Sequence, residues 1–308
     1  MSKTAFLFAG QGAQTVGMAS DLYATYPLVK ETFDRASQIL GYDLRVLIDK
    51  DEKKLHQTRY TQPAILVTSL AIYRLLVEHG IRPAIVAGLS LGEYSALVAS
   101  GALDFEDAVR LVAKRGEYME AAAPAGSGKM VAVLNTDPLL IEEVCQKAST
   151  KGIVTPANYN TPTQIVIGGE GPAVDYALAL FKEHGVKRLI PLNVSGPFHT
   201  ALLRPAAEKL AVDLAQVPFS SFTIPLVGNT EAQIMELGQI RSLLARQVME
   251  PVRFYESIAR IQEFGVDEVI ELGPGKVLSG FLKKIDKGLA TTSVEDCESI
   301  EALLNRKG

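Results

Sequence analysis

The stretch AIVAGLSLGEYSALVASG, residues 84–101, places Ser90 between Gly88 and Gly92, the spacing of a serine nucleophile held on a sharp turn. A bare GxSxG is weak, but here an apolar run precedes it and a helical pattern closed by Gly101 follows, the strand-turn-helix setting such a serine requires. At that junction the free N–H groups of a helix start favour negative charge, and the N–H of Leu91 is the expected first oxyanion donor. A serine hydroxyl needs a base, and the chain holds four histidines. His79 and His184 each precede a glycine at an expected helix end, and His56 sits in the charged segment DEKKLHQTRY, read as solvated surface. His199, in NVSGPFHTALL after Gly196 and Pro197, has no such explanation and is the favoured base. No Asp or Glu stands out by spacing as its partner. Arg115 falls on the margin of an apolar stripe beside Gly116, and two readings stand. Its head either reaches water, as such stems commonly allow, or points into a cleft opened by Gly116 and finds an anion there, which a planar fork binds bidentately.

The elements that must position these residues follow from apolar patterning. Runs at 4–9, 84–89 and 267–272 lack polar alternation and end at glycine-rich turns, as parallel strands buried on both faces do. Helical patterns at 107–122, 199–217 and 257–265 complete an α/β layer. The middle reads strand, helix, strand, strand, helix, strand, the ferredoxin-like order. The fold class expected is therefore α/β: a large α/β-hydrolase-like catalytic domain with a parallel sheet core, formed by 1–125 and 198–308, and an inserted small ferredoxin-like α+β domain at 126–197.

With 308 residues, 47% hydrophobic and 21% charged, the chain can bury a large core throughout. A net charge of −4 with acid and base interspersed argues against nucleic acid as the main partner. Cys145 and Cys297 have neither metal-site nor disulfide spacing and read as reduced thiols. The apolar start is too short for a signal peptide and no uninterrupted apolar run approaches a membrane span, so a cytoplasmic, monomeric protein is expected. GPGK at 273–276 lacks the spacing and the Ser or Thr of a phosphate loop.

FAGQGAQ, GLSLGEYSALVASG, the KRG around Arg115, GPFH, RQVMEPVRF and ELGPGKVLSG, in series over essentially the full length, resemble malonyl-CoA:acyl carrier protein transacylases of bacterial type II fatty acid synthesis. Acyltransferase domains of modular polyketide synthases share these motifs. The resemblance implies Ser90 as the acyl-accepting nucleophile, His199 as its base, and a carbonyl at Gln247 holding the other imidazole nitrogen. It also implies backbone N–H donors from Gln11 and Leu91, Arg115 on the malonyl carboxylate, and Asn160 lining the substrate channel. Malonyl-CoA and acyl carrier protein are the partners it implies, with no metal or redox cofactor; an acidic carrier needs a local basic surface, for which Lys283 and Lys284, after GPGKVLSG, are the candidate contacts. Leu89 replaces a histidine common before the nucleophile, with little consequence expected, and Phe198 fits relatives that take malonyl. The other functions in view are a trans-acting polyketide synthase acyltransferase, a serine hydrolase such as a thioesterase, and a silent scaffold that docks carrier protein.

Overall fold

The run at 4–9 becomes strand β1 (Thr4–Phe8), every residue of it buried, and it is the central organiser of the first sheet. The structure is a computed structural model and describes residues 3–124, 126–192, 194 and 196–307. On one side β1 pairs in parallel with β2 (Ile85–Gly88), and on the other with β7 (Glu268–Leu272), which pairs with β8 (Ala290–Val294). The order β2-β1-β7-β8 is wholly parallel, which explains why the strands read as unbroken apolar runs: helices cover both faces. The helix Thr58–Glu78 is long and apolar enough to cross a membrane by length and composition alone, yet 78% of its most apolar window is buried. It is packed in the core against the helix Phe105–Ala122.

The second sheet is antiparallel, with β3 (Lys129–Leu134), β4 (Val154–Thr161), β5 (Gln164–Gly169) and β6 (Leu189–Pro191) in the order β4-β5-β3-β6. The helices Pro138–Ala148 and Gly171–Glu183 connect these strands and pack a separate apolar cluster around Ile141, Val144, Ile167 and Phe181. This is the split β-α-β arrangement of a ferredoxin-like unit. The segment KRLIPLNV, 187–194, reads as the last strand of this unit, and β6 covers Leu189–Pro191 of it, with Leu192 N–H still donating to Met130 O (2.9 Å); Asn193 lies outside the described residues. So do Ala125, at one expected domain boundary, and Ser195, near the other.

Two junctions escape the periodicity. At the open edge of β2, Val86 N–H donates to the Pro225 carbonyl (2.9 Å) and its carbonyl accepts from Val227 (3.0 Å), so the segment before Asn229 runs along the elbow strand. On β4, Tyr159 N–H donates to Val252 O (2.8 Å) and Val252 N–H to Ala157 O (2.9 Å), tying the antiparallel sheet to the chain just beyond Gln247. The helix expected from 199 begins only at Arg204, because a 3₁₀ turn over Ala201–Leu203 intervenes.

Candidate active site

The glycines of GLSLG supply space. A Cβ on Gly92 would lie 2.1 Å from the Phe8 carbonyl oxygen, and one on Gly88 2.1 Å from the Gly92 backbone, so the turn packs directly on β1. The strain falls on Ser90 itself, at φ 52°, a left-handed conformation costing about 1–2 kcal/mol for a residue with a side chain. Two neighbours clamp its peptide. Ser90 N–H donates to Asn229 Oδ1 (2.6 Å), and Gln247 Nε2 donates to the Ser90 carbonyl (2.9 Å). Asn229 completes its grip by donating to Gly88 O (2.6 Å).

His199 also takes a positive φ, 58°, and is buried. Its Nδ1 lies 2.7 Å from the Gln247 backbone oxygen. A carbonyl can only accept, so Nδ1 carries the proton and Nε2 is bare; Nε2 lies 2.8 Å from Ser90 Oγ and accepts its O–H. Burial, reinforced by the nearby Arg115 charge and opposed by the Gln247 carbonyl, holds the imidazole down to about 4. It is therefore neutral near pH 7.

Arg115 is 1% exposed and lies beneath the serine. Its Nη1 donates to Gln62 Oε1 (2.7 Å), and its Nη2 to Gln247 Oε1 (3.0 Å) and Ser90 Oγ (3.2 Å). Its guanidinium stands 5.3 Å from the Tyr94 ring centre, and its buried Nε donor has no partner. Burial pushes it below the ordinary arginine value. Gly116 does not open a cleft, contrary to expectation: a Cβ there would lie 2.8 Å from the Thr58 carbonyl and Arg59 Cα. The glycine instead lets the helix Phe105–Ala122 touch the start of Thr58–Glu78, which brings Gln62 to Arg115.

Ser90 and His199 open onto a cleft of about 470 Å³ whose walls include Gln11, Asn160, Phe198 and Phe281. The Gln11 side chain is tied to Thr58 (3.2 Å) and Gln62 (3.2 Å), and a Cβ on Gly10 would lie 2.6 Å from the Leu89 carbonyl, so this loop abuts the elbow. Leu91 begins the helix after Ser90, where backbone N–H groups lack intrahelical acceptors. Asn160 donates to Gln164 (3.2 Å), while its buried Oδ1 has no partner. Lys283 and Lys284 are exposed on the helix Val277–Ile285, whose Val277 and Phe281 line the cleft.

Of the remaining histidines, His79 lies at a helix end with Nδ1 2.9 Å from Leu75 O, and His184 caps the helix Gly171–Glu183. His56 is exposed, as expected, and stands at the cleft mouth with Nδ1 3.2 Å from Gln14 Nε2. Sequence reasoning missed Gln62, Glu93 and Asn229. For Asn229 the available signal was the short apolar run PLVG before it, with a polar residue at its carboxyl end. Among the described residues no three His, Cys, Asp or Glu side chains group in a way that could hold a metal ion.

A strained serine hydrogen-bonded to a neutral imidazole, with a cation beneath the hydroxyl, can attack an acyl carbon and hold the product as an ester. That chemistry has a counterpart in known proteins. The acyl transferase domain family matches residues 5–304, and the chain belongs to it. The chain is 45% identical over 307 residues to the malonyl CoA-acyl carrier protein transacylase of Escherichia coli (strain K12), covering 99% of each. Among solved structures it matches MCAT from Streptococcus pneumoniae at 71% identity and a TM-score of 0.97, covering 99% of this chain and 100% of that one. A malonyl-transacylase solved in complex with its type II polyketide acyl-carrier protein matches at 43% identity and a TM-score of 0.96, covering 99% and 100%.

Proposed function

We propose that this protein transfers the malonyl group from malonyl-CoA to the phosphopantetheine thiol of an acyl carrier protein, by way of a malonyl ester on Ser90, supplying the extender unit of fatty acid synthesis in the cytoplasm. The observation that carries the reading is the buried Arg115 guanidinium 3.2 Å from Ser90 Oγ with an unpartnered Nε donor. A buried cation with a spare donor beside the nucleophile favours an acyl group that brings its own carboxylate.

In the first half-reaction the Ser90 proton passes to His199 Nε2 as Oγ bonds to the thioester carbon. The oxyanion falls to the N–H groups of Gln11 and Leu91, each contributing about 3 kcal/mol. The C–S bond then breaks, and the proton on Nε2 goes to the coenzyme A sulfur. In the second, the carrier thiol gives its proton to Nε2, attacks the ester carbon and takes the acyl group, and the proton returns to Ser90 Oγ. This sequence predicts ping-pong kinetics and needs no metal or redox cofactor. Asn160 lines the path of the acyl chain, and 126–197 is read as a small domain inserted into the one bearing the elbow.

Two other readings make different products. A serine hydrolase would release free malonate, and His199 held by a carbonyl in place of a carboxylate speaks against it. A trans-acting polyketide acyltransferase would prefer a polyketide carrier, and the matched complex with such a carrier keeps that reading in view. Incubating the protein with malonyl-CoA and each carrier, and quantifying malonyl carrier against free malonate by mass spectrometry, separates all three. Malonate as the main product would overturn transfer.

The carrier is acidic in this pathway, and Lys283 and Lys284 lie on the helix that borders the cleft. Reversing both to glutamate is expected to raise the KM for carrier about tenfold at low salt and to flatten its salt dependence. The loss should be much smaller in Ser90 acylation by malonyl-CoA. Stopped-flow kinetics of the two half-reactions over an ionic-strength series checks this, and an unchanged salt dependence would exclude the pair.

A further inference from the structure

A carboxylate that neither half-reaction uses lies directly behind the nucleophile. Glu93, three residues after Ser90 in the first turn of the helix Gly92–Ala99, is wholly buried. Its Oε2 accepts from the Asn229 backbone N–H (2.9 Å) and from the Gln247 side-chain amide (3.1 Å). These are the two residues that hold the Ser90 peptide, Asn229 at its N–H (2.6 Å) and Gln247 at its carbonyl (2.9 Å). Gln247 also holds Arg115 through Oε1 (3.0 Å) and His199 through its backbone oxygen (2.7 Å). One oxygen atom thus supports both side chains that clamp the Ser90 peptide.

The chemistry of that oxygen decides the orientation of Gln247. An ionised carboxylate only accepts, so the amide must turn its NH₂ toward Glu93 and the Ser90 carbonyl, leaving Oε1 for Arg115. Flipped, the amide would set its oxygen against two acceptors and its N–H groups against the guanidinium. Once Glu93 is protonated it can donate, and the penalty against the flipped amide falls. Its other oxygen, Oε1, is buried without a partner, so an amide nitrogen placed there would be a buried donor left unsatisfied.

We propose that Glu93 is a positioning residue whose acceptor-only carboxylate locks Gln247 and Asn229, and through them sets the Ser90 turn and the place of Arg115. The inference rests on the reading of Ser90 and Arg115 given above. The electrostatics of the site support it. Burial raises Glu93 to about 7, against the pull of the Asn229 and Gln247 hydrogen bonds and of Arg115. Arg115, on the helix Phe105–Ala122, is the charged group facing it; Asn229 and Gln247, on two further elements, are neutral, and Tyr94 on its own helix is raised to about 12. The lock therefore loosens as pH falls through about 7.

The test is the rate constant for Ser90 acylation by malonyl-CoA, in wild type and in Glu93→Gln, across about pH 5 to 9. The wild-type rate is expected to fall as pH drops through about 7. Glu93→Gln should be slower by about 10- to 100-fold at high pH, the size of effect a small misplacement of reacting groups produces. It should also lack the limb near 7 and decline only toward the His199 value of about 4. A folded variant with the wild-type rate, or one that keeps the limb near 7, overturns the proposal. If the variant does not fold, the wild-type profile decides: a flat rate through 7 overturns it and a limb there supports it. A wild type that takes up no malonyl at any pH would instead sink the reading of the site on which this rests.

Discussion

His199→Ala is expected to slow acylation of Ser90 by about 10⁴- to 10⁶-fold, the range seen when one member of a nucleophile-base unit is removed. Ser90→Ala should take up no acyl group at all, and the double variant should be no worse than Ser90→Ala, because the two side chains act on one proton. The geometry fixes the direction. With Nδ1 held by the Gln247 carbonyl at 2.7 Å, the ring cannot turn its bare Nε2 away from Oγ at 2.8 Å. Burial and the Arg115 charge keep it neutral to about pH 4, so the base is ready throughout the neutral range. The same environment makes the imidazolium short-lived, a strong acid facing a thiolate that leaves readily even without one. That balance suits transfer between thiols better than attack on an amide, whose leaving nitrogen requires protonation. Release of coenzyme A in the first turnover, followed by rapid quench, measures the loss. A His199→Ala variant within tenfold of wild type would mean another group takes the proton.

The residues that meet at this site were unequally visible in the chain. The strand-turn-helix around Ser90 is local: apolar run, glycine pair and helical pattern lie within eighteen residues, and periodicity alone places them. His199 came forward because three other histidines had plain structural readings, and the exposed His56 only adds a place at the cleft mouth to its reading as solvated surface. Arg115 stayed undecided because an arginine on the margin of an apolar stripe looks the same whether its head reaches water or a buried acceptor. What decides it is Gln62, fifty-three positions earlier, brought into reach where Gly116 lets two helices touch. Asn229 and Glu93 were hidden for a related reason. Asn229 depends on a few residues joining the edge of β2 through Val86 alone, too short a run to register as a strand. Glu93 reads as an ordinary acidic residue in the first turn of a helix, and only the packing of three other segments around that turn makes it a buried carboxylate. The β-α-β-β-α-β order of the middle was legible because each element there is regular and of ordinary length, and because its core closes on itself.

Arg115→Ala is expected to lose about 3–5 kcal/mol of malonyl transfer, roughly 10²- to 10⁴-fold in kcat/KM, while acetyl transfer is kept or improved. The guanidinium has already been taken out of water, at the cost reflected in its lowered pKa, and its Nε donor stands unpaired. A carboxylate two carbons beyond the acyl carbonyl on Oγ offers that cation a charged acceptor within reach, so most of the burial cost is recovered only when such a group arrives. An acetyl group offers nothing to the cation and leaves it as unsatisfied as before. Removing Arg115 should therefore relieve the acetyl complex of a buried charge while depriving the malonyl complex of its partner. The preference for malonyl over acetyl should collapse. Two secondary effects can be separated from this. Loss of the Nη2 contact to Ser90 Oγ weakens the nucleophile equally for both acyl groups, and loss of the Arg115 charge should let the His199 pKa rise from about 4. Competition between malonyl-CoA and acetyl-CoA for Ser90, read as the ratio of the two ester masses, cancels both and isolates selectivity. Equal losses for the two acyl groups would reduce Arg115 to a support for the serine and remove the ground for malonyl as the preferred substrate.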